Sequence, residues 1–308
     1  MQFFLEVLVG GLLSGVMYSL VALGFVLIYK ASGVFNFAQG AMVFFAALTF
    51  VGFQEVLPGP LGLHPGSSAV FWIALLLALA TMVLLSILTE RFVLRPLVNQ
   101  SQITLFMATI GLSFLIEGLA QGIWGANVRG LDLGIEDQPI AWLADATGVF
   151  VSRFDLFAAA VAAVLVSVLA VFFQRTRIGR ALRAVADDHQ AALAVGISLQ
   201  HIWRIVWGVA GLVALVAGLM WGARNGVQFA LTYTALKALP VLILGGFTSV
   251  PGAIVGGLII GSTEKLAEVY LGPYVGGGIE SWFPYMLALL FLLVRPEGLF
   301  GEKRIDRV

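Results

Sequence analysis

Cysteine is absent from the 308 residues, which excludes disulfides and thiolate-bound metal and leaves the compartment open. Charge is scarce as well, at 11% of residues against about a quarter in an ordinary soluble domain. The 17 basic and 17 acidic side chains balance, and neither sign forms a block able to follow a nucleic-acid backbone, so nucleic-acid binding is excluded. Histidine occurs only at His64, His189 and His201, with no pair at the i, i+4 spacing of a zinc-binding helix. A metal centre is not expected. Neither a Gly-x-Ser-x-Gly nucleophile turn nor a Gly-x-x-x-x-Gly-Lys-Ser/Thr phosphate loop is present. The chain is therefore read as a non-enzyme.

What remains is apolar. Hydrophobic residues make up 60% of the chain, mean hydropathy is +1.00, and 36 glycines suit membrane helices, where small residues let backbones approach. A bilayer core about 30 Å thick needs roughly 20 apolar helical residues. Stretches 5–29, 34–55, 69–89, 154–173 and 202–222 meet that length without internal charge, and 103–124 does so with one acid, Glu117. Later, 234–246 is short and holds Pro240, 252–271 turns polar after Gly261, and 282–294 is short and very apolar. Each of these reads as a tilted, broken or partial span. The predicted fold is thus an all-α polytopic bundle of eight or nine transmembrane segments with broken or re-entrant helices, forming one membrane domain over 1–308. A secretory signal peptide is not expected, since Glu6 stands where a basic region would be and the apolar run continues to Tyr29.

Basic residues set the orientation, because loops rich in Lys and Arg stay cytoplasmic. Placing Lys30, Arg91, Arg95, Arg175, Arg177, Arg180, Arg183, Arg295, Lys303, Arg304 and Arg307 inside leaves Arg129, Arg153 and Arg224 outside. The N-terminus is then external and the C-terminus cytoplasmic. That parity favours about nine crossings over eight. Residues 125–152, with Asp132, Glu136, Asp137 and Asp145, form the large outer loop, and residues 174–201 the large inner one.

The inner loop reads as an amphipathic helix. Arg180, Arg183, Asp187 and Gln190 recur at steps of three and four, while Ile178, Leu182, Val185 and Leu193 lie on another face. Arg183 and Asp187 can pair. Gly196 suits a left-handed helix end, and Ser198 can cap the next helix. Two readings stand: an interfacial anchor between spans, or a docking element gripped by a soluble partner.

Gln190-Ala191-Ala192, three residues, then Gly196 resembles the Glu-Ala-Ala…Gly loop by which importer permeases of the ATP-binding cassette class contact their ATPase, with Gln190 in place of the usual Glu. Gly11-Leu-Leu-Ser-Gly-Val-Met-Tyr-Ser-Leu-Val-Ala-Leu-Gly24 and Phe35-Asn-Phe-Ala-Gln-Gly-Ala-Met42 are similar to the start of permeases for branched-chain amino acids. So are Gly179-Arg-Ala-Leu-Arg-Ala-Val-Ala-Asp-Asp188 and Leu244-Gly-Gly-Phe-Thr-Ser-Val-Pro-Gly252. The likeness runs from about residue 5 to residue 300. Relatives importing urea, amides or aromatic acids share much of this pattern.

This resemblance implies a permease subunit of a bacterial inner-membrane importer for branched-chain or other hydrophobic amino acids. Its implied partners are a second permease, a pair of cytoplasmic ATPases that bind ATP and magnesium, an extracytoplasmic solute-binding protein, and lipid. No cofactor is implied for this chain. The implied coupling residues are Arg180, Arg183, Asp187, Asp188, Gln190, Ala191, Ala192 and Gly196. Candidates for the substrate pathway are Tyr18, Ser19, Asn36, Gln39 and Gly40. Amides facing lipid are costly, so Asn36 and Gln39 should face a cavity or a neighbouring helix; the alternative is that Asn36 caps the second helix and Gln39 packs beside it.

Among the remaining charges, Glu117 reads as reaching headgroups or a cation, and Lys237 as snorkelling to the outer surface. Glu264, Lys265 and Glu268 read as one solvated or paired helix face. The competing class is an ion-driven carrier using Glu117 and Lys237, and a membrane scaffold without flux is the third.

Overall fold

The computed structural model describes residues 2–97, 100–187 and 189–301, with backbone alone at 146, 147, 187 and 189–191. Among the described residues six helices are long and apolar enough to cross a membrane. They are α1 (Gln2–Ser32), α2 (Gln39–Val56), α4 (Ser68–Thr89), α5 (Gln102–Trp124), α7 (Arg153–Arg175) and α10 (Leu199–Asn225). Short helices α3 (Pro58–Leu61), α6 (Ala141–Thr147), α8 (Arg177–Asp187) and α9 (His189–Ala194) lie between them. The last third holds α11 (Thr234–Gly245), α12 (Val250–Val275) and α13 (Phe283–Val294). A 3₁₀ turn, Phe229–Tyr233, leads into α11, and this segment meets α12 at a 112° bend. Among the described residues the only extended pairing is two isolated bridges, Arg129 with Val227 and Pro139 with Ser152. The chain is a polytopic helical membrane protein.

Serine side chains start several of these helices. Ser67, Ser101, Ser198 and Ser249 accept hydrogen bonds from the backbone N–H groups of Val70, Thr104, His201 and Gly252. The observed helices outrun the expected spans by a few residues at most ends. The exception is the start of α2, because residues 34–38 are not helical. At its far end α4 continues through a π turn, Glu90–Leu94.

Two compact units interleave along the chain. The first draws its described residues from Met1–Val26, Leu133–Val171 and Leu236–Val308, the second from Leu27–Asp132 and Phe172–Ala235. In the first, α1 and α12 cross through Gly11 and Gly15 on one side and Gly257 and Gly261 on the other. A Cβ on Gly11 would lie 2.7 Å from Ser262 Cα, and one on Gly257 would lie 2.6 Å from Gly15 O. Such small-residue contacts are how helices associate where lipid removes the hydrophobic drive between them. Gly245 meets Gly252 and Gly256 in the same way, which lets α11 lie against α12 after the bend.

In the second unit α2 packs against α4, α5 and α10, burying Phe50, Leu48, Met82, Ile116 and Trp207. Trp124 lies on Gly52, and its indole N–H donates to Thr49 Oγ1 at 3.2 Å. Arg129 pairs with Glu55 at 2.5 Å. α4 and α5 leave most of their apolar surface uncovered, with Trp72, Leu76 and Phe114 exposed, and in the first unit α7 does the same, with Val164 exposed. Such surfaces suit lipid or a partner helix.

Candidate functional site

The backbone between α1 and α2 is buried without being helical, so its polar groups need partners other than a helix ladder. Thr109, on α5, supplies them: its hydroxyl accepts from Phe37 N–H at 3.2 Å and lies 3.1 Å from Phe35 O. Phe37 stacks edge-on against Phe35 and Phe106. Asn36 is fully buried; its Oδ1 accepts from Ala38 N–H at 3.1 Å, while Nδ2 reaches Gln39 Oε1 at 3.4 Å and Met42 Sδ at 3.7 Å. Helix α2 therefore begins on a turn that Asn36 organises, although the cap position itself is Ala38. Gln39 is equally buried, and its Nε2 has no partner among the described residues. Gly40 abuts Thr232 and Ala235, where a Cβ would overlap Ala235 at 2.8 Å. Asn36, Gln39 and Gly40 thus form one packed polar cluster. Lipid does not meet these amides, as expected.

Tyr18 and Ser19 belong to the first unit and have partners of their own. Ser19 donates to Gly15 O and Ala253 O at 2.9 and 3.1 Å, which ties α1 to α12. Tyr18 is 4% exposed, and its hydroxyl donates to Glu264 Oε1 at 3.1 Å. Lys237 Nζ donates to the same carboxylate oxygen at 3.2 Å and to Tyr18 Oη at 3.4 Å, and it lies 5.7 Å from the Tyr18 ring centre. Lys237 does not snorkel outward, because Glu264 offers a charged partner within reach. Of the solvated or paired face expected of Glu264, Lys265 and Glu268, Glu264 takes the paired form, 1% exposed and turned into the helix packing. Its neighbours Lys265 and Glu268 do serve the surface, Lys265 by pairing with Glu280 at 3.1 Å and Glu268 by accepting from Gly278 and Glu280 N–H. Glu117 accepts from Ser113 at 3.2 Å.

The loop after α7 turns a tight corner. Thr176 Oγ1 accepts from Gly179 N–H at 3.0 Å, Gly179 abuts the Phe173 backbone, and Arg183 donates to Phe173 O. Leu182, Val185 and Ala192 are buried, while Arg180 is exposed. Gly196 adopts φ +83°, with Ile197 N–H bonded to Ala192 O at 2.9 Å, a left-handed helix end. The backbone is helical on both sides of Asp188, as α8 up to Asp187 and as α9 from His189. Leu193, expected on the face of Leu182 and Val185, is 53% exposed where those two are buried. Asp188 lies outside the described residues, as do the side chains of Asp187, Gln190 and Ala191, and with them the expected Arg183–Asp187 pair.

One pair was not read from sequence at all. Glu90, fully buried in the π turn, holds Arg204 of α10 with Oε2 at 3.4 Å from Nε. A π turn carrying a buried acid is the signal that sequence alone conceals.

Known proteins resemble this sequence over nearly its whole length. The chain is 27% identical over 321 residues to the high-affinity branched-chain amino acid transport system permease protein LivH of Salmonella typhimurium, covering 99% of this chain and 98% of that one. It is 26% identical to the permease protein BraD of Pseudomonas aeruginosa, with coverage of 99% and 98%. Against a probable LivH permease of Methanocaldococcus jannaschii it is 24% identical, with coverage of 98% and 95%. Among solved structures, PsaBC from Streptococcus pneumoniae in complex with Fab is similar at a TM-score of 0.44 and 14% identity, covering 92% of this chain and 89% of that one. That last likeness is too remote to carry an argument. The family model described as "Branched-chain amino acid transport system / permease component" matches residues 7–295, and the chain belongs to that family.

Proposed function

We propose that this chain is the membrane permease of an importer for branched-chain or related hydrophobic amino acids, with ATP and magnesium bound and hydrolysed by separate chains. The observation that carries this reading is the extent of the likeness, since relatives bearing that printed function align with nearly the whole chain. The corner between α7 and α10 supports it physically. Arg183, Thr176 and Gly179 fix α8 to the end of α7, so a force applied to α8 is delivered to a membrane helix. Leu193, Val195 and Arg180 all stand exposed on this loop, giving it apolar and basic surface suited to a soluble ATPase.

In this reading a second permease, a pair of ATPases and an extracytoplasmic solute-binding protein complete the assembly. The chain sits in the bacterial inner membrane with its N-terminus outside, as the basic residues of the inner loops require. An ion-driven carrier is the poorer reading, because Lys237 already has Glu264 as counter-ion. The test is gentle solubilisation of the tagged chain and mass spectrometry of what stays bound. A second hydrophobic subunit and a phosphate-loop ATPase are expected in fixed proportion, and the reconstituted assembly should take up L-leucine only with ATP. A lone or self-paired chain in several mild detergents overturns the proposal.

A further inference from the structure

We propose that Lys237 and Glu264 are the groups that bind the charged ends of the transported amino acid, exchanging each other for the solute's carboxylate and ammonium. This rests on the importer reading above and names residues for it. The case begins with cost. A buried ion pair gives little net stability, and well-packed apolar side chains often do as well, so stability alone does not account for one between membrane helices. It continues with valence. Glu264 is 1% exposed, its Oε1 takes both Tyr18 and Lys237, and its Oε2 is buried with no partner among the described residues. An unused carboxylate oxygen in that setting is an acceptor waiting for a donor. Lys237 donates to Tyr18 and Glu264, and its side chain is 34% exposed, so its remaining N–H is open to an approaching acceptor.

Position agrees. Tyr18 lies in mid-course of α1, and Glu264 in mid-course of α12. Lys237 is in the first turn of α11, just before Pro240 and the bend. A zwitterion carries its ammonium nitrogen and carboxylate carbon about 2.5 Å apart by covalent geometry. The protein pair holds opposite charges at 3.2 Å, so one zwitterion can lie alongside with each charge against its complement. The exchange adds no net charge to the membrane, which a single fixed charge would not allow. Gly11, Gly15, Gly257 and Gly261 hold the helices beneath it in contact.

The test uses the purified assembly without its solute-binding protein. Binding of radiolabelled L-leucine is measured in competition with 3-methylbutylamine, which lacks the carboxylate, and 4-methylpentanoate, which lacks the amine. Glu264→Gln should weaken leucine about tenfold, the size of one lost charge-assisted contact, and leave 4-methylpentanoate within about twofold. Lys237→Met should weaken leucine similarly and leave 3-methylbutylamine within about twofold. If either variant fails to assemble, Tyr18→Phe, which keeps the pair and removes the two bonds the hydroxyl makes to it, decides: leucine weakened about threefold supports the site, unchanged binding overturns it. Equal loss for all three ligands, or full recovery in the charge-exchanged double variant Lys237→Glu with Glu264→Lys, marks a structural pair and overturns the proposal. Unmodified assembly that binds and moves no amino acid overturns the importer reading itself, whereas normal leucine transport with unaltered variants removes only this site.

Discussion

At the scale of the residue, what decides a position is whether its polar atoms are used. Thr109 has its hydroxyl fully engaged with Phe35 and Phe37, so Thr109→Val should cost about 1–3 kcal/mol and lower the Tm of the detergent-solubilised protein, while Thr109→Ser should not. Gln39 has a mixed balance, with a buried Nε2 that has no partner among the described residues and an Oε1 that accepts from Asn36. Replacing it by Leu removes the orphan donor and the acceptor together, so Tm should shift little in either direction. Leucine uptake should nonetheless fall about fivefold if that amide meets solute. Uptake at the level of the unmodified protein would leave Gln39 a packing residue only. The difference between these residues was partly legible in advance. Asn36 and Gln39 announce themselves as amides where an apolar run begins. Thr109 does not, because a threonine in a membrane helix is ordinary, and its partners lie over 70 residues away in sequence. Glu264 and Lys237 were visible as charges, but 27 positions separate them, so no periodicity could pair them.

The elements themselves were the most readable level. Twenty apolar residues in lipid have few structural choices, and α1, α4, α5, α7 and α10 all extend close to where hydropathy places them. What failed was continuity. Residues 34–38 are as apolar as a helix needs, yet Thr109 and Asn36 satisfy that backbone locally and the helix starts only at Gln39. The ending of the inner loop at Gly196 makes a sharp prediction. A valine at φ +83° is strained by roughly 1–2 kcal/mol, and the left-handed turn is what sets the direction of α10 after α9. Gly196→Val should therefore leave the membrane helices folded but reduce solute-stimulated ATPase activity of the assembly at least about tenfold. Normal stimulation would mean that the turn transmits nothing. Close helix crossing makes a second. Gly257→Leu cannot be absorbed where Gly15 O already lies 2.6 Å from the added Cβ, so α1 and α12 must separate and the yield of folded protein should collapse. Recovery of folded protein at the usual yield would mean that the α1–α12 contact is dispensable.

For the whole molecule the matter to decide is how often the last third crosses the bilayer, and the bend between α11 and α12 favours a re-entrant pair. A helix continuing straight through would show a small bend, and a hairpin would show one near a half-turn. At 112°, α12 runs back against the direction of α11. With α11 only 12 residues, about 18 Å, and α12 26 residues, about 39 Å, the first enters part of the bilayer and the second is long enough to leave it again on the side it came from. In the proposed topology the pair leaves the bilayer on the side it entered, and α13 makes the final passage. Because the chain has no cysteine, single introduced cysteines report this directly. If the N-terminus lies outside, as proposed, a cysteine at Ala126 should react with a membrane-impermeant maleimide in intact cells and one at Gln100 should react only after permeabilisation. Tyr274, exposed at the far end of α12, is the deciding position. Tyr274→Cys should label from outside, like Ala126→Cys, because the bend carries α12 back. Protection of that site in intact cells, with Ala126→Cys labelled, would make α11 and α12 one broken crossing and move everything after Gly276 to the other face.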